Sequence, residues 1–306
     1  YIIFYKHQMK KISSLIFILF FTIFSVSAGE LDEVINKVYD QSSKRAEGFL
    51  RSIFSGTGDT EVSIMGKTTE KPEASIVIVR PMKVYDDDLL FYQTQLSNYF
   101  VSGRARQGLN LGLGYRKLSG NNNSFFGVNS FLDADSQLNL RASLGFELRA
   151  SSFEFNGNYY DGLSSANTDG DETDRVLSGN DMSIVGQVPY LPWASLTYKT
   201  YEWKKIDASK DTKGDILKGE FYLTNSLNFE FGWDDNELNK HTDEFWRLSF
   251  VHPPKKNQAT LFNNPIGNSA FENSDVREKM LSKVKRSNQI TVEVTSSGVI
   301  ISNGNS

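Results

Sequence analysis

The sequence contains no cysteine and little histidine. Without cysteine, the 306-residue chain can form neither a disulfide framework nor a thiolate metal site. His241 and His252 are the only histidines beyond residue 28, and neither has a carboxylate or a nucleophile at a recognisable spacing. A hydrolase would need Ser, His and an orienting group together. We therefore predict that the protein is not an enzyme and holds no cofactor or metal.

An excess of positive charge is also absent. The chain has 33 basic and 37 acidic residues, which give a formal net charge of −4. Residues 1–28 contribute three lysines and no acids, so the remainder carries a formal charge of −7. Because nucleic-acid-binding domains present a basic surface, we do not expect nucleic acid as a partner.

Long apolar runs are absent except near the start of the sequence. Two lysines follow Met9, the apolar run Leu15–Phe24 comes next, and small residues lead to Ala28. This order is typical of a secretory signal peptide, whereas the alternative, a transmembrane anchor, needs about 20 apolar residues. We predict that residues 9–28 are a signal peptide, and that residues 1–8 are upstream sequence outside the native product.

Many short segments of the remaining chain alternate apolar and polar residues. Leu144, Phe146 and Leu148, for example, alternate with Gly145 and Glu147. Side chains of a strand point to opposite faces in turn, so each such strand has one apolar and one polar face. Twelve strands are predicted, at about 60–66, 74–80, 90–101, 107–118, 124–133, 138–149, 153–161, 181–188, 194–204, 215–224, 227–234 and 242–252.

The lengths of the predicted connections also alternate. If the first strand leaves the periplasm, the short connections 150–152 and 225–226 are periplasmic, and the longest one, 161–180, is external. This is the pattern of outer-membrane barrels, although 81–89 is an exception. A secreted β-sandwich would show the same alternation of residues, but its core would have to absorb apolar residues from all twelve strands. We therefore predict an all-β, twelve-stranded antiparallel transmembrane β-barrel over residues 57–252.

Two amphipathic segments flank the predicted barrel. Apolar residues at helical spacing predict a short periplasmic helix within residues 29–56. Near the other end, Asp275 and Glu278 resemble a capping box, and a helix is predicted over 275–286. Residues 253–306 would then comprise a linker, this helix and a short polar tail.

Seven segments of the sequence together form a recognisable series. They are AEGFLRSIFSGTGDTEVSI (46–64), VYDDDLLFYQTQL (84–96), GLNLGLGYRKL (108–118), FFGVNSFLDAD (125–135), RASLGFELRASSFEFNGNYYDGLS (141–164), GNDMSIVGQVPYLPWASLTYKTYEWK (179–204) and VREKMLSKVKRSNQITVEV (276–294). Each motif is weak alone, but together they extend over residues 46–294. In this order they resemble the β-barrel translocator of inverse autotransporters, the intimin and invasin group.

The resemblance implies a barrel in the outer membrane of a Gram-negative bacterium, with its N-terminus in the periplasm. It implies that the chain returns through the pore and carries a C-terminal passenger to the cell surface, which is type V secretion. The expected partners are outer-membrane lipid and the outer-membrane insertion machinery, which would recognise the last strand at Trp246–His252.

Adhesins of the family continue into Ig-like or lectin-like domains, through which they bind host or cell-surface ligands. This sequence ends at Ser306 without such a domain. Two expectations stay open: a translocator linked to cell adhesion whose passenger is missing here, and a stand-alone outer-membrane channel or structural barrel.

Charged residues on the inward faces of the predicted strands form the candidate site. Polar inward positions are ordinary in such barrels, where mixed charges pair across neighbouring strands. A sharper hypothesis is that the lumen charges hold the returning helix. The lumen charges are Arg116, Arg141, Glu147, Arg149, Glu154, Glu220, Glu230 and Arg247, and the charges of the pore helix are Arg277, Lys279, Lys283, Lys285 and Arg286.

Three further expectations concern two short segments and a set of aromatic residues. The stretch Asn288–Val294 alternates like a strand, and residues 287–300 are long enough to cross the barrel, unless they remain a frayed periplasmic tail. The acidic stretch Asn167–Asp174 has calcium-like spacing but lacks an EF-hand frame, so a solvated loop is the simpler interpretation. Four aromatic residues are candidate interfacial anchors: Tyr115, Tyr159, Trp233 and Trp246.

Overall fold

The computed structural model describes residues 53–68, 71–237, 242–271, 274–296 and 299–303. The predicted signal peptide (9–28) and the residues before it lie outside this range, as does nearly all of the predicted helix within 29–56. The sheets described below belong to one compact unit, Thr57–Ser306. Among the described residues, no helix combines the length and the apolar composition of a membrane span.

The described residues between 60 and 252 form fourteen strands. They are β1 (Thr60–Lys67), β2 (Glu73–Val84), β3 (Asp88–Val101), β4 (Arg104–Leu118), β5 (Ser124–Asp135), β6 (Leu140–Ala150), β7 (Phe153–Gly162), β8 (Asn167–Asp169), β9 (Glu172–Val176), β10 (Gly179–Val188), β11 (Leu191–Trp203), β12 (Thr212–Tyr222), β13 (Leu227–Asn236) and β14 (Asp243–His252).

Twelve of these strands, all except β8 and β9, form a closed antiparallel barrel. The closure is made by β1 and β14, which pair from Thr60 opposite His252 to Lys67 opposite Phe245. Closure leaves no strand edge without a partner, which a lipid environment requires. The prediction of an all-β, twelve-stranded antiparallel barrel is confirmed.

The two ends of the barrel differ in their connections. At the end where β1 begins and β14 stops, five connections have only two to five residues. The predicted exception at 81–89 disappears, because β2 continues to Val84 and β3 begins at Asp88. Short turns mark the periplasmic side of such barrels, so we name this the inner end and the opposite one the outer end.

Side chains on the outward face of the barrel are apolar. On β4, Leu109, Leu111 and Leu113 are exposed, while Asn110 and Arg116 are buried on the inner face. A belt of this kind suits hydrocarbon rather than water. Its other exposed members include Phe126, Val128, Leu132, Leu144, Phe146, Leu148, Met182, Ile184, Leu196, Tyr198, Leu217, Leu248 and Phe250.

Inward glycines make room for aromatic rings in the lumen. A Cβ atom at Gly112 would collide with the ring of Phe131, and one at Gly114 would collide with the ring of Phe91. Both rings are buried. The glycines of the polar face therefore admit a packed lumen in place of a wide open pore.

A second sheet lies at the outer end, and the sequence did not predict it. The connection between β7 and β10 forms the hairpin β8–β9, which pairs with the C-terminal strands β15 (Val292–Ser296) and β16 (Val299–Asn303). Val292 lies opposite Val176, and Ser296 lies opposite Glu172. The stretch expected to be a solvated loop is thus part of a four-stranded sheet.

The predicted pore helix over 275–286 is largely absent. Only Arg277–Leu281 is helical, as a short 3₁₀ helix, and Ser282 already has the extended backbone angles φ −74° and ψ 157°. An α-helix would bond the carbonyls of this segment internally. As described below, side chains of the barrel bond them instead.

Candidate functional site

Residues 275–291, here called the lumen segment, enter the barrel at its inner end. The amide of Val276 donates to the carbonyl of Asn122 at 2.9 Å, and Arg277 Nη1 donates to the carbonyl of Asp86 at 2.8 Å. Asn122 and Asp86 both lie in inner turns. Because β15 pairs with β9 at the outer end, the chain between these contacts passes through the whole lumen.

Two buried arginines bind the backbone of the lumen segment. Arg116 Nη1 donates to the carbonyls of Met280 at 2.5 Å and Ser282 at 2.8 Å. Arg141 Nη2 donates to the carbonyl of Ser287 at 2.8 Å. Both guanidinium groups are fully buried, and a planar group with five donors can satisfy several acceptors at once.

Further lumen side chains bind carbonyls at intermediate positions. Arg149 Nη2 donates to the carbonyl of Lys283 at 2.8 Å, and the Asn158 amide donates to the carbonyl of Lys285 at 3.1 Å. The Asn110 amide reaches the carbonyl of Asn288 at 2.9 Å. The contacts follow the backbone from residue 280 to residue 288, and they depend little on which side chains the segment carries.

Buried carboxylates hold these arginines in place. Glu147 accepts from Arg116 Nε at 2.6 Å and lies 2.8 Å from Arg149 Nη2, so one acid serves two guanidinium groups. Asp133 lies 2.9 Å from Arg141. A buried charge is costly unless it is paired and hydrogen-bonded, and each of these groups is.

Aromatic rings complete the packing of the guanidinium groups. The Arg116 guanidinium lies 4.3 Å from the centre of the Phe91 ring, and that of Arg286 lies 4.2 Å from the centre of the Phe131 ring. These are the two rings admitted by the inward glycines of β4. Guanidinium groups are attracted to the faces of aromatic rings.

Cationic side chains of the lumen segment reach acids of the barrel. Lys283 lies 2.6 Å from Glu61. Arg286 lies 2.6 Å from Asp133, and both of these side chains are fully buried. The segment is therefore bound through its side chains as well as its backbone.

Glu154 is the acid nearest to two lysines of the segment. Its carboxylate lies 2.8 Å from Lys285 and 3.9 Å from Lys279. Glu220 lies 3.8 Å from Lys285. Arg277 stays at the inner rim, where it bonds the Asp86 carbonyl.

Two of the predicted lumen residues pair within the wall instead. Glu230 lies 2.6 Å from Lys218 and 3.9 Å from Arg247. Arg247 also contacts the sulfur of Met65 at 3.1 Å. The structure thus brings Arg116, Arg141, Arg149 and Glu154 directly against the segment, and it leaves Glu230 and Arg247 on another part of the wall.

At the outer end, an apolar cluster surrounds the departing chain. It consists of Tyr99, Val101, Val176, Ile290, Val292 and Val294, all buried. Beside it, Arg106 Nη1 lies 2.6 Å from Asp174 of β9, and Glu293 accepts from the amides of Ile206 and Asp207 at 3.2 and 2.8 Å. Loops from both sides of the barrel therefore hold β15.

The acidic stretch 167–174 shows no calcium-like arrangement. Asp174 is buried against Arg106 and also accepts from the Asn139 amide at 3.0 Å. Within the described ranges, no three potential metal-ligating side chains gather in one place. Two acids of this stretch, Glu172 at 3.1 Å from Arg104 and Asp174 at 2.6 Å from Arg106, join β9 to the barrel rim.

The inner end is tied together next to the seam between β1 and β14. Lys255, which follows β14, forms an ion pair with Asp59, which precedes β1. Burial raises the pKa of the Asp59 carboxyl, and the charge of Lys255 acts in the opposite direction. Arg80 adds a bond to the Asp59 carbonyl at 2.8 Å.

The four predicted interfacial aromatic residues all lie on the outward, lipid-facing side of the barrel. Tyr159, Trp233 and Trp246 are 57%, 40% and 42% exposed, and Tyr115 is partly exposed. Tyr115 lies near the inner end of β4, whereas Trp233 lies near the outer end of β13. Their positions are compatible with two girdles, one at each membrane surface.

Sequence reasoning missed several residues that bind the lumen segment. Asp133 and Glu61 lie within predicted strands at inward positions, so the alternation alone would have identified them. Asp181, which accepts from Ser287 Oγ at 2.7 Å, begins a predicted strand. Arg106 and Asp174, which join β9 to the barrel rim, lie outside the predicted strands, and Asp174 was noted only as part of the acidic stretch.

A solved structure shares this fold, and two others show a weaker likeness. A chain from a study of the in-meso crystallization of membrane proteins matches with a TM-score of 0.64 at 18% identity, covering 78% of this chain and 99% of that one. The KdgM porin matches with a TM-score of 0.44 at 9% identity, over 63% and 98%. The outer membrane phospholipase A from Escherichia coli matches with a TM-score of 0.40 at 9% identity, over 65% and 94%. The last two likenesses are too weak to bear on function.

Sequence comparison adds a family. No curated protein matches the chain. The family model described as "Inverse autotransporter, beta-domain" matches residues 26–229, which is more than half of the chain.

Proposed function

Because the chain belongs to the inverse autotransporter β-domain family and is a barrel of the Gram-negative outer membrane, we propose that it is a translocator. In this role the barrel inserts into the membrane and threads its own C-terminal segment through the lumen to the cell surface. Anything attached to that segment is displayed outside the cell.

The observation that carries the proposal is the binding of backbone carbonyls by the lumen. Arg116, Arg141 and Arg149 donate to four carbonyls between Met280 and Ser287. Every amino acid has such a carbonyl, so these donors can meet successive residues of a chain that moves past them. A barrel that only needed a stopper would gain as much from side-chain packing.

The ion pairs supply what the backbone contacts lack, which is a preferred stopping point. Lys283, Lys285 and Arg286 meet Glu61, Glu154 and Asp133 in one register only. A shift of one residue would turn the side chains of an extended segment to the opposite side. Threading would therefore end in the register in which these cations are neutralised.

Insertion and anchoring are part of the same proposal. The outward residues Trp246, Leu248 and Phe250 give the last barrel strand an apolar face, which we propose as the surface presented to the insertion machinery and then to lipid. Adhesion to host or cell-surface ligands would follow from a passenger joined to β16.

We propose no catalytic role: His252 lies at the inner end of β14, and His241 lies outside the described residues.

Surface display of a C-terminal epitope tests the proposal. The tag is placed after Ser306. The matched control carries the same tag after Phe262, an exposed residue between the end of β14 and the start of the lumen segment. Antibody is applied to intact cells and to permeabilised cells. We expect the C-terminal tag to be labelled on intact cells and the control tag only after permeabilisation.

A result counts against the proposal only if the barrel is shown to be folded in the membrane. Folding in the membrane is checked by heat-modifiable migration in gels. If a correctly folded barrel leaves the C-terminal tag inaccessible on intact cells, the chain does not thread its end outward. The remaining reading would then be a stand-alone channel or structural barrel.

A further inference from the structure

The lumen segment lies against one wall of the barrel. Its bonds go mostly to β3, β4, β5, β6 and β7, through side chains such as Gln93, Arg116, Asp133, Arg141 and Asn158. We name these five strands the gripping wall. The opposite side, formed by β1, β2 and β10–β14, is here called the open wall.

A cavity of about 170 Å³ separates the segment from the open wall. It reaches from Glu61, near the inner end of β1, to Lys67 and Asp243 at the outer end of the barrel. Polar groups such as Ser75 and Lys218 line it along the way. The cavity therefore extends along most of the membrane thickness beside the segment.

A second cavity, of about 340 Å³, lies on the inner side. It is lined by residues of the inner turns, including Asn225, and by Lys255 and Ser195. The two cavities have five lining residues in common: Glu61, Val77, Glu220, Lys283 and Lys285. They meet where the lysines of the lumen segment cross to the acids of the open wall.

Charged and polar side chains line both cavities. Lys199, Lys218 and Glu230 line the first cavity, and Glu154 and Asn228 line the second. Polar cavities of this size hold several water molecules.

We propose that the two cavities form a hydrated ion pathway that crosses the barrel beside the lumen segment. Its constriction is the ion pair between Lys283 and Glu61, together with Lys285 between Glu154 and Glu220. The proposal rests on the geometry of the lumen and holds whether or not the segment is displayed outside.

The constriction has a predictable electrical character. Lys283 and Lys285 contribute two positive charges from the segment, against Glu61, Glu154 and Glu220 of the barrel. Removing a lysine both widens the passage and leaves its acidic partner without a counter-charge. Rings of acidic side chains favour cations in pores, so the same change makes the pathway more selective for cations.

Single-channel recording in planar bilayers tests the constriction in the full chain. Lys283→Ala is expected to raise conductance several-fold and to shift the reversal potential in a KCl gradient toward cation selectivity. Arg277→Ala is the matched control, because it removes one positive charge from the same segment at the inner rim, outside both cavities. An unchanged conductance and reversal potential in Lys283→Ala overturns the proposal.

Chemical modification gives a second measurement that leaves the constriction intact. The chain has no cysteine, so Ser75→Cys and Ser195→Cys each place one thiol in one cavity. The control is Ser143→Cys on the gripping wall, where the hydroxyl accepts from Arg286 at 2.9 Å. We expect a water-soluble, negatively charged methanethiosulfonate to modify both cavity variants in the folded barrel and to leave the control unmodified. Two cavity thiols that resist the reagent would show that no hydrated pathway exists.

Discussion

The gripping wall and the open wall are built from the same kind of strand, yet they treat the lumen segment differently. On the gripping wall, Arg116, Arg141 and Arg149 bond the segment directly. On the open wall, Lys218, Glu230 and Arg247 pair mainly with one another. A polar inward face is thus compatible with holding a chain and with leaving space for water, and the reach of individual side chains decides between them.

The aromatic residues explain part of the difference. Phe91 and Phe131 lie in the lumen over glycines on β4. Their rings pack against the guanidinium groups of Arg116 and Arg286. On the open wall, Gly66 accommodates the Trp246 ring, which lies on the lipid-facing side. Large side chains therefore extend from the gripping wall into the lumen, and they bring the charged groups of this wall closer to the barrel axis.

Removal of the lumen segment should have the largest effect, because it would abolish the difference between the walls. A chain without residues 265–306 loses every contact described for the segment. We expect a several-fold larger single-channel conductance than in the full chain, and larger than in Lys283→Ala. A conductance equal to that of the full chain would mean that the segment does not obstruct the lumen.

Arg116→Ala should weaken the gripping wall more than any single change on the open wall. It removes two bonds to the segment and the shorter of the two arginine contacts to Glu147. Glu147 keeps Arg149 at 2.8 Å, but the carbonyls of Met280 and Ser282 lose their charged donor, and a hydrogen bond to a charged group contributes about 1.5–3 kcal/mol. Unfolding by urea in detergent, followed by tryptophan fluorescence, measures the loss.

The matched variant for that experiment is Arg247→Ala on the open wall. Its charge contact to Glu230 is 3.9 Å long, and Lys218 remains 2.6 Å from the same acid. We expect a clearly smaller loss of stability. Equal losses would remove the energetic distinction between the walls.

Asp174→Asn should affect only the outer end of the gripping side. The change keeps the shape of the side chain but removes the charge that faces Arg106 at 2.6 Å. We expect a loss of roughly 1.5–3 kcal/mol in the local stability of β15, the usual range for a hydrogen bond to a charged group. Hydrogen exchange of the amides of Val292–Ser296 should accelerate, while amides of β12 and β13 should exchange as before.

The smallest difference is expected between two hydroxyl deletions. Ser143→Ala on β6 removes the acceptor for Arg286, and should cost about 1 kcal/mol. Thr197→Ala on β11 removes a hydroxyl that has no protein partner, and should change stability by less than about 0.5 kcal/mol. The same urea experiment compares them, and a larger cost for Thr197→Ala would mean that the Thr197 hydroxyl is bonded more firmly than that of Ser143.

The barrel was predictable to within a few residues at most strand ends because its signal is local. Leu109, Leu111 and Leu113 alternate with inward residues whatever the rest of the chain does, and so does each of the other strands. The inward charges followed from the same alternation. Asp133 and Glu61 were overlooked although they lie at inward positions of predicted strands.

The lumen segment was predictable in place but not in conformation. Val276, Met280 and Val284 recur at helical spacing, and they do pack together with rings of the gripping wall. The helix nevertheless stops after Leu281, because Arg116 and Arg149 bond the carbonyls that a longer helix would bond itself. A pattern in one segment carries no information about donors more than a hundred residues away.

By itself, the sequence determined the strands, their lipid-facing sides and the inward charges, because alternation acts between neighbouring residues. Tertiary structure alone decided which wall grips, where the cavities remain and that β9 pairs with β15. These outcomes depend on groups brought together by closure of the barrel, such as Arg141 and Ser287 or Val176 and Val292. Closure sets the distances across the lumen, and those distances determine which inward charge reaches the chain and which reaches water.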